Sequence, residues 1–257
     1  MQYTNIENVE NVEKLSTCVL YPDGQKKQGE AAVLSEHVLN VIINEQPAYR
    51  LVCTKNDLRE LVTGRMLTDG LIGKADDIYK MYFCKYENEV SVFLKNDITW
   101  ENVIPEVSSW CTGNRVFAMK DQADRLKRVP EYKWKTEWVF GLSEEFGREK
   151  GIHSLTCGSH LCILASAGKT LYVSEDIGRH NALDKAAGYA LLNQLPLSEC
   201  MIFTSGRVPV DMVEKVITAG IPVLVSKSVP TKESVDMARE YGLTLICRAW
   251  PDKCEIF

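Results

Sequence analysis

The chain of 257 residues has none of the long hydrophobic runs that insertion into a membrane requires. No stretch approaches the roughly 18 uncharged apolar residues that a membrane-spanning helix needs. The beginning of the chain, MQYTNIENVENVEKL, is polar and acidic, so it has neither the basic nor the apolar region of a signal peptide. Both absences predict a cytoplasmic protein that does not bind membranes.

An excess of positive charge is also absent. The net charge of -5 argues against general nucleic-acid binding, although local basic pockets remain compatible with it. The four histidines form no His-x-Glu motif, so the signature of zinc deaminases is missing. The nine cysteines are scattered and form no Cys-x-x-Cys motif, which favours reduced thiols over disulfides. We therefore expect no protein-ligated metal.

Hydrophobic periodicity divides the chain into three parts. After a loose start over residues 1–30, two strands, one helix that stops near Gly70 and a hairpin predict a small β-rich N-terminal domain over residues 31–105. Residues 106–135 have weak periodicity and predict a loop. Residues 136–257 alternate helices with strands, which predicts a layered α/β domain.

Polar residues follow several of the predicted strands in the C-terminal part. Ligands of α/β sheets bind beyond the carboxyl ends of strands, where helix N-termini favour anions. Two arginines at such junctions indicate an anionic ligand, although helix caps and ion pairs are the structural alternative. His153 follows a glycine at a predicted turn and is a weaker candidate. The other candidates at these junctions are Asp176, Gly178, Arg179, His180, Asn181, Ser205, Gly206, Arg207 and Lys227.

One cysteine differs from the others in its surroundings. Cys111 lies among polar residues in the segment SSWCTGN, outside any apolar period. An exposed thiol that can ionise is suited to nucleophilic sulfur transfer, and an incidental loop cysteine is the alternative. We expect four cysteines in apolar runs to be small core residues without chemistry, namely Cys157, Cys162, Cys200 and Cys247.

Several C-terminal motifs resemble those of a known family. The run EDIGRHNALDK, followed by SGR, AGIPVLVSKSVPT and YGLTL, closely resembles the signature of the FdhD family, the formate dehydrogenase accessory sulfurtransferases. The segments GIHSL and NDLRELVTGRMLTDGLI are similar to the family more weakly. The resemblance covers roughly residues 33 to 257.

The resemblance implies a fold and a function. The larger domain is expected to be cytidine-deaminase-like without zinc, beside a smaller domain. Sulfur would pass from a cysteine desulfurase to the bis(molybdopterin guanine dinucleotide) form of the molybdenum cofactor, before the cofactor enters formate dehydrogenase. The resemblance also implies a homodimer and a persulfide on Cys111. It assigns cofactor binding to Arg248, Ala249, Trp250, Pro251, Asp252 and Lys253.

One position departs from the family pattern. The familiar loop has two cysteines separated by two residues, whereas residue 114 is Asn here. A persulfide needs only one sulfur atom, so transfer through Cys111 stays possible, but a mechanism with a second, resolving cysteine is in doubt. The alternative is a non-covalent chaperone of the cofactor, and a zinc deaminase is a third class that lacks metal ligands in this sequence.

Overall fold

The computed structural model describes residues 11–96, 126–149 and 151–257. Its strands are β1 (Val12–Leu20), β2 (Lys26–Leu34), β3 (His37–Ile43), β4 (Gln46–Cys53), β5 (Ile78–Phe83), β6 (Glu89–Leu94), β7 (His160–Ser166), β8 (Lys169–Asp176), β9 (Met201–Thr204), β10 (Val223–Ser226), β11 (Thr244–Trp250) and β12 (Lys253–Ile256). Its helices are α1 (Leu58–Thr68), α2 (Thr136–Arg148), α3 (Ile152–Thr156), α4 (Arg179–Leu192), α5 (Val210–Thr218) and α6 (Lys232–Tyr241).

A six-stranded sheet forms the centre of the C-terminal part. Its order is β12-β11-β10-β9-β7-β8, in which β9, β10 and β11 are parallel and the other pairs are antiparallel. Side chains alternate across it: Ile163 faces a core that includes residues of α2, whereas Leu164 faces a core that includes residues of α4 and α5. Helices therefore cover both faces. The predicted α/β layered class is confirmed, while the cytidine-deaminase-like arrangement stays a prediction.

The N-terminal part contributes two further sheets. Strands β4-β3-β6-β5 form a four-stranded sheet, which matches the predicted strand pair and hairpin. Strands β1 and β2 pair along their whole length as an antiparallel hairpin. The expectation of a loose start is therefore wrong from residue 12 onward, because a ribbon with both faces largely exposed shows little hydrophobic alternation.

Two glycines allow helices α1 and α4 to lie backbone against backbone. A Cβ atom at Gly64 would stand 1.7 Å from the carbonyl oxygen of Asp184, and one at Gly188 would stand 1.9 Å from that of Glu60. Residues of α1, β3, β4 and β6 consequently share one hydrophobic core with α4 and α5. Any boundary between the predicted units 31–105 and 136–257 crosses this core, and those bounds stay a prediction.

Most of the expected elements are confirmed, and two short ones were not predicted. Helix α3 has five residues and strand β12 has four, so neither is long enough to show a period in the sequence. Residues 126–135 have no regular structure, and the rest of the predicted loop, including Cys111, lies outside the described residues. No helix in the described part of the chain is long and apolar enough to span a bilayer.

Candidate functional site

A cleft of about 370 Å³ opens at one edge of the six-stranded sheet. Ser205 follows β9, Lys227 follows β10 and Trp250 ends β11, so the carboxyl ends of three parallel strands meet there. Strand β7 is antiparallel to β9, and its first residue, His160, therefore lies at the same edge. The cleft is lined by Phe146, His153, Cys157, Gly158, Ser159, His160, Ser205, Lys227, Ser228 and Trp250.

A lysine lies between two aromatic rings in this cleft. The Nζ atom of Lys227 is 5.0 Å from the centroid of the Phe146 ring and 4.7 Å from that of Trp250. The rings attract the ammonium group through their negative faces and hold it near the end of β10. An ammonium group beside flat aromatic surfaces suits a ligand that combines an anionic group with a planar ring.

His160 adds a neutral imidazole to the cleft. Its Nδ1 atom is 3.3 Å from the hydroxyl oxygen of Ser205, and that oxygen accepts a hydrogen bond of 3.0 Å from the backbone N–H of Leu161. Burial lowers the pKa of His160 to about 4, and the positive charge of Arg179 acts in the same direction. At neutral pH the ring is therefore uncharged and offers a hydrogen bond without a cation.

The short helix α3 carries His153 and is fixed by a carboxylate. The backbone N–H groups of Ile152 and His153 donate to Glu175 at 2.6 Å and 2.7 Å. The His153 Nδ1 atom is hydrogen-bonded to the carbonyl oxygen of Ser159. Ser159 itself is only 3% exposed, and its hydroxyl has no hydrogen-bond partner among residues 11–96, 126–149 and 151–257. An unpaired buried hydroxyl costs about 1–3 kcal/mol, which a ligand in the cleft could offset.

Cys157 contradicts its expected place in the core. The residue ends helix α3 with a left-handed φ of 51°, and its side chain is exposed in the cleft. The residues before it form a short helix at the surface and not a buried strand, so the apolar run GIHSLTC was misleading. Cys162, Cys200 and Cys247 are buried, as expected.

The polar residues at the start of α4 mostly point inward. Asp176 is fully buried and accepts hydrogen bonds from the backbone N–H and hydroxyl of Thr54, both at 3.1 Å, and from Asn181 at 2.8 Å. The ammonium group of Lys185 lies 2.7 Å from the same carboxylate. Gly178 caps the helix and donates its N–H to Asp176. Asp176 and Asn181 therefore connect α4 to the end of strand β4 and do not enter the cleft.

A second buried cluster lies one turn further along α4. Asp184 accepts hydrogen bonds from Thr68 at 2.7 Å and from Lys215 at 2.9 Å, and Arg65 lies 3.5 Å away. Arg65 also bonds to Asp69 at 2.9 Å. Two cations thus face two carboxylates, and residues of α1, α4 and α5 meet in one ion-pair network.

His180 is also engaged inside the protein. Its Nε2 atom is 2.8 Å from a carboxylate oxygen of Asp211 on α5. Burial lowers the pKa of His180, and this effect outweighs the opposing influence of Asp211. His180 therefore binds a carboxylate of helix α5 inside the protein and is not among the residues that line the cleft.

The two candidate arginines lie beside the cleft lining. Arg179 packs over Gly206, where an added Cβ would come within 2.9 Å of the Arg179 Cβ. Arg207 is exposed at the following position. Neither is among the residues that line the cleft.

The C-terminal segment sends one of its six candidate side chains into the cleft. Trp250 lines it, whereas Ala249 is buried and its carbonyl oxygen accepts a hydrogen bond from Ser143. Arg248 is exposed and paired with Glu255. The remaining three, Pro251, Asp252 and Lys253, are exposed at the turn into β12.

The cleft thus unites His153, Ser205, Lys227 and Trp250 out of the predicted set. The residues that sequence reasoning missed are Phe146, Cys157, Gly158, Ser159, His160 and Ser228. The sequence signal that could have identified these residues is the run of small and polar residues directly before His160. Because β7 is antiparallel to β9, it begins at this edge of the sheet. No group of three or more potential His, Cys, Asp or Glu metal ligands occurs within the described ranges.

Comparisons with known proteins agree with the resemblance in the sequence. The model of the FdhD/NarQ family matches residues 34–257. The sulfur carrier protein FdhD of Bacillus subtilis (strain 168) is 29% identical over 234 residues, 88% of each chain, and that of Bacillus pumilus (strain SAFR-032) is 30% identical over 244 residues, 92% of each. A crystal structure of a protein from Desulfotalea psychrophila, assigned as a formate dehydrogenase accessory protein, has a TM-score of 0.79 at 22% identity and covers 95% of this chain and 96% of its own. This likeness shows a shared fold.

Proposed function

Because the chain belongs to the FdhD/NarQ family, we propose that it is a sulfur carrier for formate dehydrogenase. In this proposal a cysteine desulfurase supplies the sulfur in the cytoplasm, and a homodimer of the chain carries it as a persulfide on Cys111. The acceptor is the bis(molybdopterin guanine dinucleotide) form of the molybdenum cofactor, which is cargo and not a resident group. The names of the Bacillus relatives support the sulfur-carrier role.

The position of Lys227 in the cleft is the observation that carries the proposal. Its ammonium group lies between the rings of Phe146 and Trp250, at the carboxyl ends of parallel strands. A guanine dinucleotide carries both a planar base and phosphates. Aromatic side chains can stack on the base, and the ammonium group can pair with a phosphate. The chemistry of the cleft therefore matches this class of ligand.

The other groups of the cleft supply neutral hydrogen bonds. The uncharged His160 ring can bind polar atoms of a ligand without adding charge, and so can the hydroxyl of Ser159, which has no partner in the part of the chain that the structure describes. Asp176, Asn181 and His180 act in this proposal as positioning residues, because their partners lie inside the protein. Asp176 binds Thr54 and Lys185. Asn181 donates to the carbonyl oxygen of Val52, and His180 pairs with Asp211. They hold the start of α4 and the adjoining strand ends in place.

A melting experiment with GDP tests the cleft as a guanine-nucleotide site. A ligand present at a concentration of 100 times its dissociation constant stabilises the folded state by about 2.7 kcal/mol. We expect GDP to raise the melting temperature of the intact protein and Lys227→Ala to reduce the rise. Lys80→Ala is the matched control, since Lys80 also lies over an aromatic ring, that of Tyr82 at 4.7 Å, but on strand β5. A melting temperature unmoved by millimolar GDP would contradict the site.

The non-covalent chaperone is the second candidate, and the absence of a cysteine at residue 114 favours it. Cys111→Ala separates the two, because a chaperone needs no thiol there. Under the sulfur-carrier proposal, formate dehydrogenase activity in cells that depend on this protein falls to background with Cys111→Ala, while GDP still raises the melting temperature. Full activity of the variant would contradict the sulfur-carrier proposal and favour the non-covalent chaperone.

A further inference from the structure

A cysteine that the sequence assigns to the core is exposed in the cleft. Cys157 shares the cleft with His153, His160 and Lys227. We propose that Cys157 is a sulfur-accepting thiol, which takes a sulfane sulfur from a persulfide and holds it in the cleft as Cys157–S–SH. The inference rests on the proposed function, because it places a sulfur atom beside the site assigned to the acceptor.

Cys157 differs from the other thiols in the described ranges. Burial raises the pKa of Cys200 to about 11 and those of three further thiols to about 12, so these four stay protonated and inaccessible; the three are Cys53, Cys162 and Cys247. Cys18 is exposed, but it lies on the β1–β2 hairpin. Cys84 lies in the turn after β5, where its thiol bonds to Asn88. Cys254 lies on β12, where burial raises the pKa of its thiol. Within the parts of the chain that the structure describes, Cys157 is the thiol that lines the cleft.

The surroundings of Cys157 supply evidence for a binding site that does not depend on the thiol itself. Two residues further on, Ser159 is 3% exposed, lines the cleft and has a hydroxyl without a partner among the described residues. The carboxylate of Glu175 fixes helix α3 through two backbone N–H groups, so the helix end that presents Cys157 is held in place. The ammonium group of Lys227 stabilises an anionic persulfide in the same cleft. Cys157, Lys227 and Ser159 therefore line one cleft.

The transfer step balances without an added oxidant or reductant. The Cys157 thiolate attacks the outer sulfur of a persulfide R–S–SH and forms a new S–S bond. The original S–S bond breaks, and its electron pair leaves on R–S⁻, which takes up the proton that the Cys157 thiol released. The sulfane sulfur keeps its oxidation state. The products are R–SH and Cys157–S–SH.

Mass spectrometry of the intact protein treated with glutathione persulfide tests the inference. After alkylation and digestion with trypsin, residues 151–169 form one peptide that contains Cys157 and Cys162, and fragmentation between the two assigns an added sulfur. We expect the added sulfur on Cys157 in the wild type, in Cys111→Ser and in Cys18→Ser, and none on Cys162. Saturating GDP should reduce the labelling of Cys157 but leave that of Cys18 unchanged.

A substitution that suits the local backbone separates chemistry from folding. Cys157→Gly removes the thiol, and glycine adopts the left-handed φ of 51° without strain. We expect the variant to melt at the same temperature or higher and to lose all added sulfur from this peptide. Sulfur on Cys111 or Cys18 with none on Cys157, while GDP still raises the melting temperature, overturns the inference and leaves the proposed function standing. Labelled Cys157 without any GDP shift supports the thiol and overturns the nucleotide site.

Discussion

The buried network around α4 and the cleft at the sheet edge use similar residue types in opposite ways. In the network, Asp184 faces Arg65 and Lys215, so charged groups meet partners inside the protein. In the cleft, Lys227 faces aromatic rings, and the hydroxyl of Ser159 has no partner within the described ranges. The comparison shows that a polar motif in the sequence does not itself indicate a ligand site. The discriminating property is whether the polar groups satisfy one another.

The comparison also separates two contributions to a function. The residues of EDIGRHNALDK hold helix α4 against α1, α5 and the end of β4. The cleft residues come from six separate segments of the chain that this framework brings to one edge. We therefore expect substitutions in the network to lower stability strongly and substitutions in the cleft to lower binding with little loss of stability.

The largest effect on stability is expected from Asp184→Ala. The change leaves Arg65 and Lys215 buried without one of their carboxylates, and breaking a buried ion pair in this way costs about 3–5 kcal/mol. Urea unfolding of the variant measures the loss, and Asp184→Asn, which keeps the shape, serves if the alanine variant does not fold. The control Asp252→Ala changes an exposed carboxylate and is expected to stay within about 0.5 kcal/mol. A loss below about 1 kcal/mol at Asp184 would contradict the assigned role of the network.

A smaller but clear effect is expected where α1 crosses α4. Gly64→Ala places a Cβ atom 1.7 Å from the Asp184 carbonyl oxygen, so the helices must separate at a cost of about 1–3 kcal/mol. Gly141→Ala is the matched control at an exposed position of helix α2, where nothing lies within 4 Å of the added atom. There the helix propensity of alanine is expected to stabilise the protein by about 0.5–1 kcal/mol. Equal melting temperatures for the two variants would show that the helices do not touch at Gly64.

Periodicity predicted the main strands and helices because hydrophobic faces repeat along each element. It predicted α1 from Leu58, Leu61, Val62 and Leu67, which are all buried. It did not predict the β1–β2 hairpin, whose exposed faces lack such a repeat. It also gave no sign of the shared core between α1 and α4, since that contact depends on two glycines far apart in the chain.

The candidate site was predicted in part for a similar reason. The rule for carboxyl ends of strands pointed to Ser205 and Lys227, which line the cleft, whereas Trp250 was suggested only by the resemblance to the family. It could not locate His160, which begins an antiparallel strand at the same edge. It also could not show that Asp176 and Asn181 turn inward, because their partners Thr54 and Val52 belong to a distant segment.

The smallest expected effect is the pH dependence that His160 in the cleft gives to the stability of the protein. The pKa of His160 is lowered to about 4 by burial first, and then by the positive charges of Arg179, His153 and His180, against the opposing charge of Asp176. The unfolded chain takes up this proton near pH 6.5, so it binds more protons than the folded state between about pH 6.5 and pH 4. The contribution of His160 to stability is therefore present above about pH 6.5 and is lost as the pH falls towards 4.

Titration and unfolding measurements test this expectation together. Nuclear magnetic resonance should show that the His160 ring stays neutral down to about pH 4. Between about pH 6.5 and pH 4, His160→Gln should remove part of the decline in stability. The variant keeps a neutral hydrogen-bonding group beside Ser205, so its stability at pH 7 should change little. A His160 pKa near 6.5 in the folded protein would mean that the ring is well solvated, and the cleft would then present a cation at mildly acidic pH in place of a neutral imidazole.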